Sequence, residues 1–236
     1  MGSAKQINIK VIPAKIANEF IKKHHYSGKI VQNSKLHFGV FYKNNLHGVL
    51  SYGSPLDRSK LIRLVEGTKW NEFIELNRMA FDDVLPKNSE SRAIAITIKL
   101  IQKKAPHIKW IVSFADACQC GDGGIYRASG FILTNIKVNK SLFELPNGEI
   151  VHQVTLQSSP KQPRKELKGK SLYDVSGGTY SLKEWKRISK AKNIEGFQLR
   201  YIYFVDNSFR RRLTVPEIPF SKIAEMGAGM YKGKKK

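Results

Sequence analysis

FIELNRMAF at 73–81 and WIVSFAD at 110–116 are the two segments that decide the fold class of this chain. The first places apolar residues on alternating positions, which is the pattern of a strand. The second is a nearly continuous apolar run, which is typical of a central strand buried on both faces. The stretch between them, 88–104, carries isoleucines at helical spacing and stops before a proline, so it predicts a long helix. Together these segments indicate a mixed α/β sheet.

The remaining predicted elements extend this pattern in both directions. They are, in chain order, a strand at 6–12, a helix opened by Pro13 and ending near His24, a hairpin of strands at 36–42 and 46–53 around Asn44–Asn45, a short helix ending at Gly130, a strand at 131–138, a basic amphipathic helix at 181–192 and a strand at 197–206. No internal repeat is visible. The chain is therefore predicted to be one α/β domain over residues 1–236, with helices on both faces of the sheet, a basic loop–helix insertion at 157–195 and a basic tail at 221–236.

Charge is the strongest compositional feature. Lys and Arg total 41 against 19 Asp and Glu, which gives a formal net charge of +22. Residues 157–236 hold 19 basic and 7 acidic side chains, so more than half of the excess lies in the last third. Such an excess favours a nucleic acid as partner over a membrane surface or simple solubility. The apolar runs are too short to span a bilayer, and the two cysteines, Cys118 and Cys120, favour a reducing compartment such as the cytoplasm.

HHYSGK at 24–29 is the first segment with candidate functional side chains. His25 is a candidate base or metal ligand near neutral pH, and Tyr26 is a candidate donor or ligand. The alternative is structural, because histidine and a following Gly28 are both favoured where a helix ends.

ELNRMAFDD at 75–83 places Arg78 inside a predicted strand. Strict alternation puts its side chain on the same face as Leu76 and Ala80, where a charge needs a partner or a ligand. The structural alternative is an ion pair with Asp82 or Asp83.

NSESRA at 88–93 combines amide, hydroxyl and guanidinium groups at a predicted helix start. These groups suit a phosphate, and they equally suit capping with Asn88 or Ser89 as the N-cap. The candidate ligand-binding residues are Asn88, Ser89, Ser91 and Arg92.

SFADACQCGDGGIYRASGF at 113–131 is the most suggestive stretch. Asp116 lies at the carboxyl end of a buried strand, where open α/β sheets bind ligands. Gly123 and Gly124 permit close approach of a ligand to the backbone, and Tyr126 follows in the first helical turn. Cys118 and Cys120 lack the second pair that a structural zinc site needs and are interpreted as incidental.

Basic segments in the last third are candidate nucleic-acid contacts. Trp185 lies among cations in the predicted helix at 181–192, so its ring is a candidate for stacking on a base. The other two tryptophans, Trp70 and Trp110, are weaker candidates. The accompanying cations are Lys183, Lys186, Arg187, Arg210, Arg211 and Arg212.

The order of elements resembles the N-acetyltransferase (GNAT) fold, whose sheet splays between its fourth and fifth strands, here 73–81 and 110–116. A more specific resemblance rests on a series of separated motifs. They are HYSGK, LVEGT-x-W-NEF-x-ELNRMAFDD, NSESRAI, IKW-IVSFAD, GDG-x-IYRASGF and RYIYF…RRRLTVP. In this order they resemble the Mom family of phage DNA-modification proteins, from about residue 20 to the C-terminus.

This resemblance implies an acetyltransferase-like fold that converts adenine in double-stranded DNA to N6-carbamoylmethyl-adenine, which protects phage DNA from host restriction. By motif, it implies a catalytic site of Tyr26, Arg78, Ser91, Asp116 and Tyr126. Asp116 would act as the base and Tyr126 as the proton donor to the leaving group. The resemblance also implies iron, for which His25, Tyr26 and Asp116 are the candidate ligands.

The group donor stays open at this point. An acyl-CoA such as acetyl-CoA suits the fold, whereas glycyl-tRNA would supply the atoms of the carbamoylmethyl group. Two rival functions also remain. A GNAT acetyltransferase acting on a protein or small amine leaves the basic last third unexplained, and a non-catalytic DNA-binding protein leaves the polar groups around Asp116 and Tyr126 unexplained. The oligomeric state is not predicted.

Overall fold

The computed structural model describes residues 3–153, 161–164, 167–179 and 181–236. The chain forms two compact units, one made of Met1–Ile136 with Leu199–Lys236 and the other of Lys137–Gln198. The predicted insertion at 157–195 belongs to the second unit, and its residues 157–160, 165–166 and 180 lie outside the described residues. A single domain with an insertion stays a prediction.

The strands and helices follow one another in an alternating order. In chain order they are β1 (Asn8–Val11), α1 (Ala14–His24), β2 (Ser34–Tyr42), β3 (Asn45–Gly53), α2 (Arg58–Leu61), β4 (Phe73–Phe81), α3 (Ser89–Lys104), β5 (Trp110–Ala117), α4 (Gly124–Ala128), β6 (Ile132–Val138), β7 (Leu142–Glu144), β8 (Ile150–His152), α5 (Leu172–Val175), α6 (Leu182–Ser189), β9 (Lys192–Asn193), β10 (Phe197–Phe204), α7 (Ser221–Glu225), β11 (Met230–Tyr231) and β12 (Lys234–Lys235). In the described part of the chain no helix is long and apolar enough to cross a membrane.

A seven-stranded sheet organises the first unit, in the order β1-β2-β3-β4-β5-β10-β6. Strands β1 to β4 pair antiparallel, and β4 and β5 pair in parallel from Phe73↔Trp110 to Leu76↔Ser113. Both strands extend beyond this register, to Phe81 and Ala117, so they part at their carboxyl ends. The mixed α/β sheet and the acetyltransferase-like order of its elements are thereby confirmed.

A β-bulge in β4 corrects the prediction for Arg78. Ser51 pairs with Arg78 and the adjacent Tyr52 pairs with Leu76, so Asn77 is an extra residue in β4. Because neighbouring residues of β3 point to opposite faces, Arg78 and Leu76 also point to opposite faces. Arg78 shares a face with Ala80, as expected, but not with Leu76.

Helices cover both faces of the sheet, as predicted. On one face Ala17 and Ile21 of α1 pack in one cluster with Val49 and Ala80. On the other face the hydroxyl of Tyr52 lies 2.7 Å from Thr97 of α3. The face of α1 and the face of α3 are therefore the two sides from which the gap between β4 and β5 can be reached.

The predicted basic tail at 221–236 has regular structure in the described part. It contains α7 and a hairpin of β11 and β12, which pair through Met230↔Lys235 and Tyr231↔Lys234. The amide of Asp122 donates to the carbonyl of Met230 at 3.0 Å, so the hairpin lies against the glycine-rich turn after β5.

The second unit has its own small core. It contains the three-stranded sheet β8-β7-β9 and the helices α5 and α6. Trp185 of α6 is completely buried there, with its ring 5.5 Å from that of Phe143 in an edge-to-face arrangement. The prediction that Trp185 stacks on a base is therefore wrong, because the indole is a core residue of this unit.

Candidate active site

Tyr26 and Asp116, which are 90 residues apart in the chain, meet at the parting of β4 and β5. Helix α1 ends at His24, and Gly28 takes a φ of 59°, so the chain turns and directs Tyr26 towards β5. The Tyr26 hydroxyl donates to Asp116 Oδ2 at 2.9 Å. Desolvation of this hydroxyl and the adjacent carboxylate raise the pKa of Tyr26 well above its usual value. Tyr26 is therefore a neutral hydrogen-bond donor to Asp116.

The segment after β5 fixes the other side of Asp116. The amide of Cys118 donates to Asp116 Oδ1 at 2.9 Å, and the amides of Cys120 and Gly121 donate to the Asp116 carbonyl at 3.0 Å. Burial and the neighbouring carboxylate raise the pKa of the Cys118 thiol to about 12. Cys118 is therefore a protonated thiol rather than a nucleophile at neutral pH.

Arg78 contributes a positive charge on the same face. Its Nε donates to the Lys29 carbonyl at 3.0 Å and its guanidinium also donates to the Asn77 carbonyl at 3.1 Å. Burial and the charge of Arg78 lower the pKa of His25 to about 4, so His25 is neutral at physiological pH. Asp82, one of the two predicted ion-pair partners of Arg78, instead lies 2.8 Å from the ring of His47.

Glu75 is a candidate site residue that the sequence interpretation missed. It occupies β4 one residue before the last pair of the β4–β5 register. Burial raises the pKa of its carboxyl to about 7, and the charge of Arg78 opposes this shift only in part. An acidic residue within the apolar run FIELN was the available signal, because an acid is rarely placed in a central strand without a partner or a function.

A hydrogen-bonded chain occupies the opposite face of β5. The Ser113 hydroxyl lies 2.8 Å from both the Leu76 carbonyl and the Tyr126 hydroxyl. A carbonyl only accepts, so Ser113 donates its one proton to Leu76 and Tyr126 donates to Ser113. Burial raises the pKa of Tyr126 above its usual range. The role of Tyr126 as a proton donor to the leaving group stays a prediction.

The start of α3 corrects the expected capping. Asn88 takes the left-handed conformation with a φ of 69°, and its side chain forms no cap hydrogen bond. Ser89 is completely buried, and its hydroxyl has no partner among the described residues. The backbone amides of Glu90 and Ser91 also have no hydrogen-bond acceptor among the described residues. Arg92 is exposed one residue further on. The helix therefore begins with unsatisfied donors, which suits an anion.

The two candidate glycines after β5 have different physical roles. Gly123 has a φ of +83°, and a Cβ there would lie 2.4 Å from the ring of Tyr201. A Cβ at Gly124 would meet nothing closer than Arg127 at 3.5 Å. Packing therefore requires glycine at 123, whereas at 124 it does not.

Asp122 links the glycine-rich turn to the C-terminal hairpin. Its carboxylate side chain is only 5% exposed and pairs with Arg127 at 3.2 Å and Lys236 at 3.0 Å. It also accepts from the amide of Met230 at 3.2 Å. This buried carboxylate holds the hairpin on the turn that follows Asp116.

The ligand set expected for iron, His25, Tyr26 and Asp116, stays a prediction. No cluster of three His, Cys, Asp or Glu side chains suited to a metal exists among the described residues. The two oxygens of Asp116 accept from Tyr26 and Cys118, and Nδ1 of His25 lies 2.8 Å from the Ser27 hydroxyl. Tyr26 and Asp116 thus form a hydrogen-bonded phenol–carboxylate pair, and the ring of His25 lies 4.3 Å from that of Tyr26.

The predicted nucleic-acid cations lie on the surfaces of both units. Lys183 is exposed, Lys186 bonds to Asn193, and Arg187 pairs with Glu184. Arg210 pairs with Glu217, and Arg211 and Arg212 are exposed. Trp70, which ranked below Trp185 in the sequence interpretation, is the exposed tryptophan, at 62%.

Comparison with known proteins gives a consistent set of similarities. The model of the Mom protein family matches residues 6–222. The methylcarbamoylase Mom of Escherichia phage Mu is 34% identical over 213 residues, which are 89% of this chain and 80% of that protein.

Solved acetyltransferases are similar at a lower level. Spermidine/spermine N-acetyltransferase SpeG from Vibrio cholerae has a TM-score of 0.45 and 8% identity, covering 89% of this chain and 98% of that one. The ribosomal-protein-S18-alanine N-acetyltransferase from Escherichia coli has a TM-score of 0.43 and 9% identity, covering 85% and 94%. At such scores the fold assignment rests on the strand order and on the parting of β4 and β5.

Proposed function

Because the chain belongs to the Mom protein family, we propose that it is a transferase that converts adenine in DNA to N6-carbamoylmethyl-adenine in the cytoplasm of a phage-infected bacterium. The observation that carries the proposal is the Tyr26–Asp116 hydrogen bond, which joins two distant motifs at the parting of β4 and β5. Two rival functions, acetylation of a protein or small amine and DNA binding without catalysis, do not account for both this pair and the +22 charge.

The two faces of the sheet carry different polar groups, which suggests that each face binds a different substrate. Tyr26 follows α1, so the Tyr26–Asp116 pair lies on the face of α1. Ser113 is three residues before Asp116 in β5 and therefore points to the other face, where Tyr126 of α4 binds it. We assign the adenine to the face of α1 and the group donor to the face of α3. Transfer then takes place through the gap between the strands.

The start of α3 supports an anionic donor. Two amides without acceptors and the buried, unpartnered Ser89 hydroxyl can bind phosphate oxygens. Ser91 lies in the same turn, with its hydroxyl 3.3 Å from the Asn88 carbonyl. The pyrophosphate of an acyl-CoA and the phosphate next to the 3′-terminal nucleotide of an aminoacyl-tRNA both fit this chemistry. The donor class is thus an activated acyl group carried on a phosphorylated molecule.

The product restricts the acyl group. Transfer of an acetyl group to N6 gives an amide, whereas the product carries a CH2–CO–NH2 group on nitrogen. A glycyl donor supplies these atoms: N6 attacks the activated glycyl carbonyl and releases the carrier alcohol, and the glycyl amine then attacks C6. The former N6 leaves C6 as the amide nitrogen of the product. We therefore favour a glycyl donor, and glycyl-tRNA is the donor that we propose. Acetyl-CoA is the alternative donor.

The residues on the face of α1 would handle the adenine. Adenine N6 is a poor nucleophile, so a base must accept its proton as the new bond forms. We assign this role to Asp116, and the hydrogen bonds from Tyr26 and the Cys118 amide, which hold its carboxylate in one orientation, support the assignment. Arg78, held by two backbone carbonyls, supplies a fixed positive charge for an anionic group of the substrate. The N6 of a paired adenine is inside the duplex, so base flipping is part of this proposal.

Isotope labelling in bacteria that express the chain tests the proposal. Deoxyadenosine carrying a carbamoylmethyl group is expected in nucleosides from plasmid DNA, measured by mass spectrometry. With labelled glycine in the medium, the label should enter the carbamoylmethyl group, read as the isotope excess of the modified over the unmodified deoxyadenosine, whereas label from acetate should not enter this group. A plasmid with unmodified adenine, despite abundant folded protein, would contradict the proposed function. A carbamoylmethyl group that carries the acetate label and no glycine label would keep the function and exclude the glycyl donor.

A further inference from the structure

Trp70 is a large apolar side chain that the proposed site does not use. It lies in the connection between β3 and β4, and its ring is 62% exposed, whereas Trp110 and Trp185 are completely buried. An exposed indole on a chain of net charge +22 calls for a physical reason.

The connection that carries Trp70 is firmly anchored. Leu64 and Val65 belong to the core cluster of the first unit. The Thr68 hydroxyl donates to the Val65 carbonyl at 2.7 Å and accepts from the indole of Trp110 at 3.1 Å. The indole of Trp70 therefore projects from an ordered segment, and little conformational entropy is lost when a ligand binds it.

Arg58 fixes the ring of Trp70 from one side. The centre of its guanidinium lies 5.2 Å from the Trp70 ring and 4.4 Å from the Phe73 ring. The same group donates to the Trp70 carbonyl at 2.8 Å through Nε and to the Phe73 carbonyl at 3.0 Å. Arg58 thus supports the indole, which remains available for stacking on a flat group.

Four positive side chains lie in the connection that carries Trp70 and in the segment bonded to it, together with the acidic Glu66 and Glu72. Arg63, Lys69, Arg211 and Arg212 are exposed, and none of them has an ion pair in the part of the chain that the structure describes. The backbone connects the two segments that carry them, because the Glu66 amide donates to the Arg212 carbonyl at 2.8 Å. Val65 and Leu213 also form a β-bridge. The arginine run that the sequence singled out is therefore adjacent to the connection that carries Trp70, and a guanidinium nitrogen of Arg212 lies 3.7 Å from the Cβ position of Gly67.

We infer that Trp70, Arg63, Lys69, Arg211 and Arg212, here called the Trp70 surface, form a docking site for duplex DNA. The indole stacks on or inserts beside a base, and the four cations contact flanking phosphates. The indole of Trp110 donates to Thr68 in the connection that carries Trp70. Asp116 is six residues further along β5, so about 20 Å of strand separates Asp116 from the part of β5 next to this connection. This spacing is about six base pairs. A duplex held at the Trp70 surface can therefore reach the site, as the proposed function requires.

The intrinsic fluorescence of the full chain tests this inference. Since Trp110 and Trp185 are buried, stacking on Trp70 should quench the accessible part of the tryptophan emission. A titration with a 30-base-pair duplex, with binding followed in parallel by the anisotropy of a dye on the DNA, is expected to show saturable quenching. The Trp70→Phe variant should bind the duplex with similar affinity and show no quenching.

Substitutions then measure the contribution of the surface to affinity. Trp70→Ala should weaken duplex binding by about 5- to 140-fold, the range for loss of one stacked base. Lys69→Ala should lower the slope of log affinity against log salt by about one. Phe220→Ala is the matched control, because Phe220 is a partly exposed aromatic residue of the same unit outside this surface. The Phe220→Ala variant should bind the duplex with the affinity of the wild type.

Two outcomes would overturn the inference. One is duplex binding, seen by anisotropy, with no change in emission or with quenching that persists in Trp70→Phe. The other is quenching by tRNA and not by the duplex, which would assign the surface to an RNA. Neither outcome bears on the proposed function, which is read independently from modified deoxyadenosine in plasmid DNA.

Discussion

Glu75 gives the prediction that depends most directly on the physics of the site. The perturbation is Glu75→Gln, which keeps the size of the side chain and removes its ability to ionise. Burial raises the pKa of this carboxyl from the ordinary value of 4.5 to about 7 in the folded chain. The folded protein therefore binds this proton more tightly than the unfolded chain does.

The direction of the pH effect follows from this difference. Below about pH 4.5 the carboxyl is protonated in both states, so its contribution to stability is complete. As the pH rises towards 7, the unfolded chain releases the proton and the folded chain keeps it, so the free energy of unfolding falls. Above pH 7 the loss is complete and amounts to about 3 kcal/mol. A glutamine at this position avoids the loss, because it is neutral at every pH.

Melting temperatures at pH 5 and pH 8 measure the effect. Glu75→Gln is expected to melt about 6–12 °C above the wild type at pH 8, with a much smaller difference at pH 5. Glu66→Gln is the matched control, because Glu66 is exposed, and it should follow the wild type at both values. Equal stability of Glu75→Gln and the wild type at pH 8 would refute the assignment of a desolvated carboxyl beside the gap.

Further substitutions test other parts of the structure. Tyr26→Phe removes the hydrogen bond to Asp116, so modification of plasmid DNA should fall at least about tenfold while the melting temperature is unchanged; full activity would contradict the pairing. Gly123→Ala should lose about 2–3 kcal/mol by chemical denaturation, because of its φ of +83° and the ring at 2.4 Å, whereas Gly124→Ala should be as stable as the wild type; equal stability of the two variants would be inconsistent with this packing. Trp185→Ala should destabilise the second unit by about 3–5 kcal/mol and leave DNA affinity intact; the reverse result would restore the predicted DNA contact.

The sequence predicted the long regular elements well, because their signals are local. Strand β4 has the predicted bounds, and α3 begins at Ser89 and ends at Lys104, as its isoleucine spacing and the following proline indicate. The hairpin turn was placed one residue late. Positive φ values occur at Lys43 and Asn44, and Asn45 already pairs with Tyr42. Lysine is an uncommon residue in such a turn, so the signal was weak.

The site was predicted only where a motif marks a residue directly. Tyr26 and Asp116 were both singled out, but the contact between them depends on folding of distant segments. The prediction that Arg78 and Leu76 share a face of β4 was wrong, because the pattern of apolar residues does not reveal the bulge at Asn77. Burial of Trp185 also depends on tertiary packing, and the surrounding lysines gave the impression of a surface position.

The most direct test of the account is the nucleoside content of plasmid DNA from cells that express Asp116→Asn, compared with the wild type and Glu66→Gln. The account predicts carbamoylmethyl-deoxyadenosine with the wild type and the control. With Asp116→Asn it predicts a loss of at least about a hundredfold, while DNA binding and melting temperature are retained. Modification at the wild-type level in a folded Asp116→Asn protein would show that the chemistry does not depend on the carboxylate at the parting of β4 and β5.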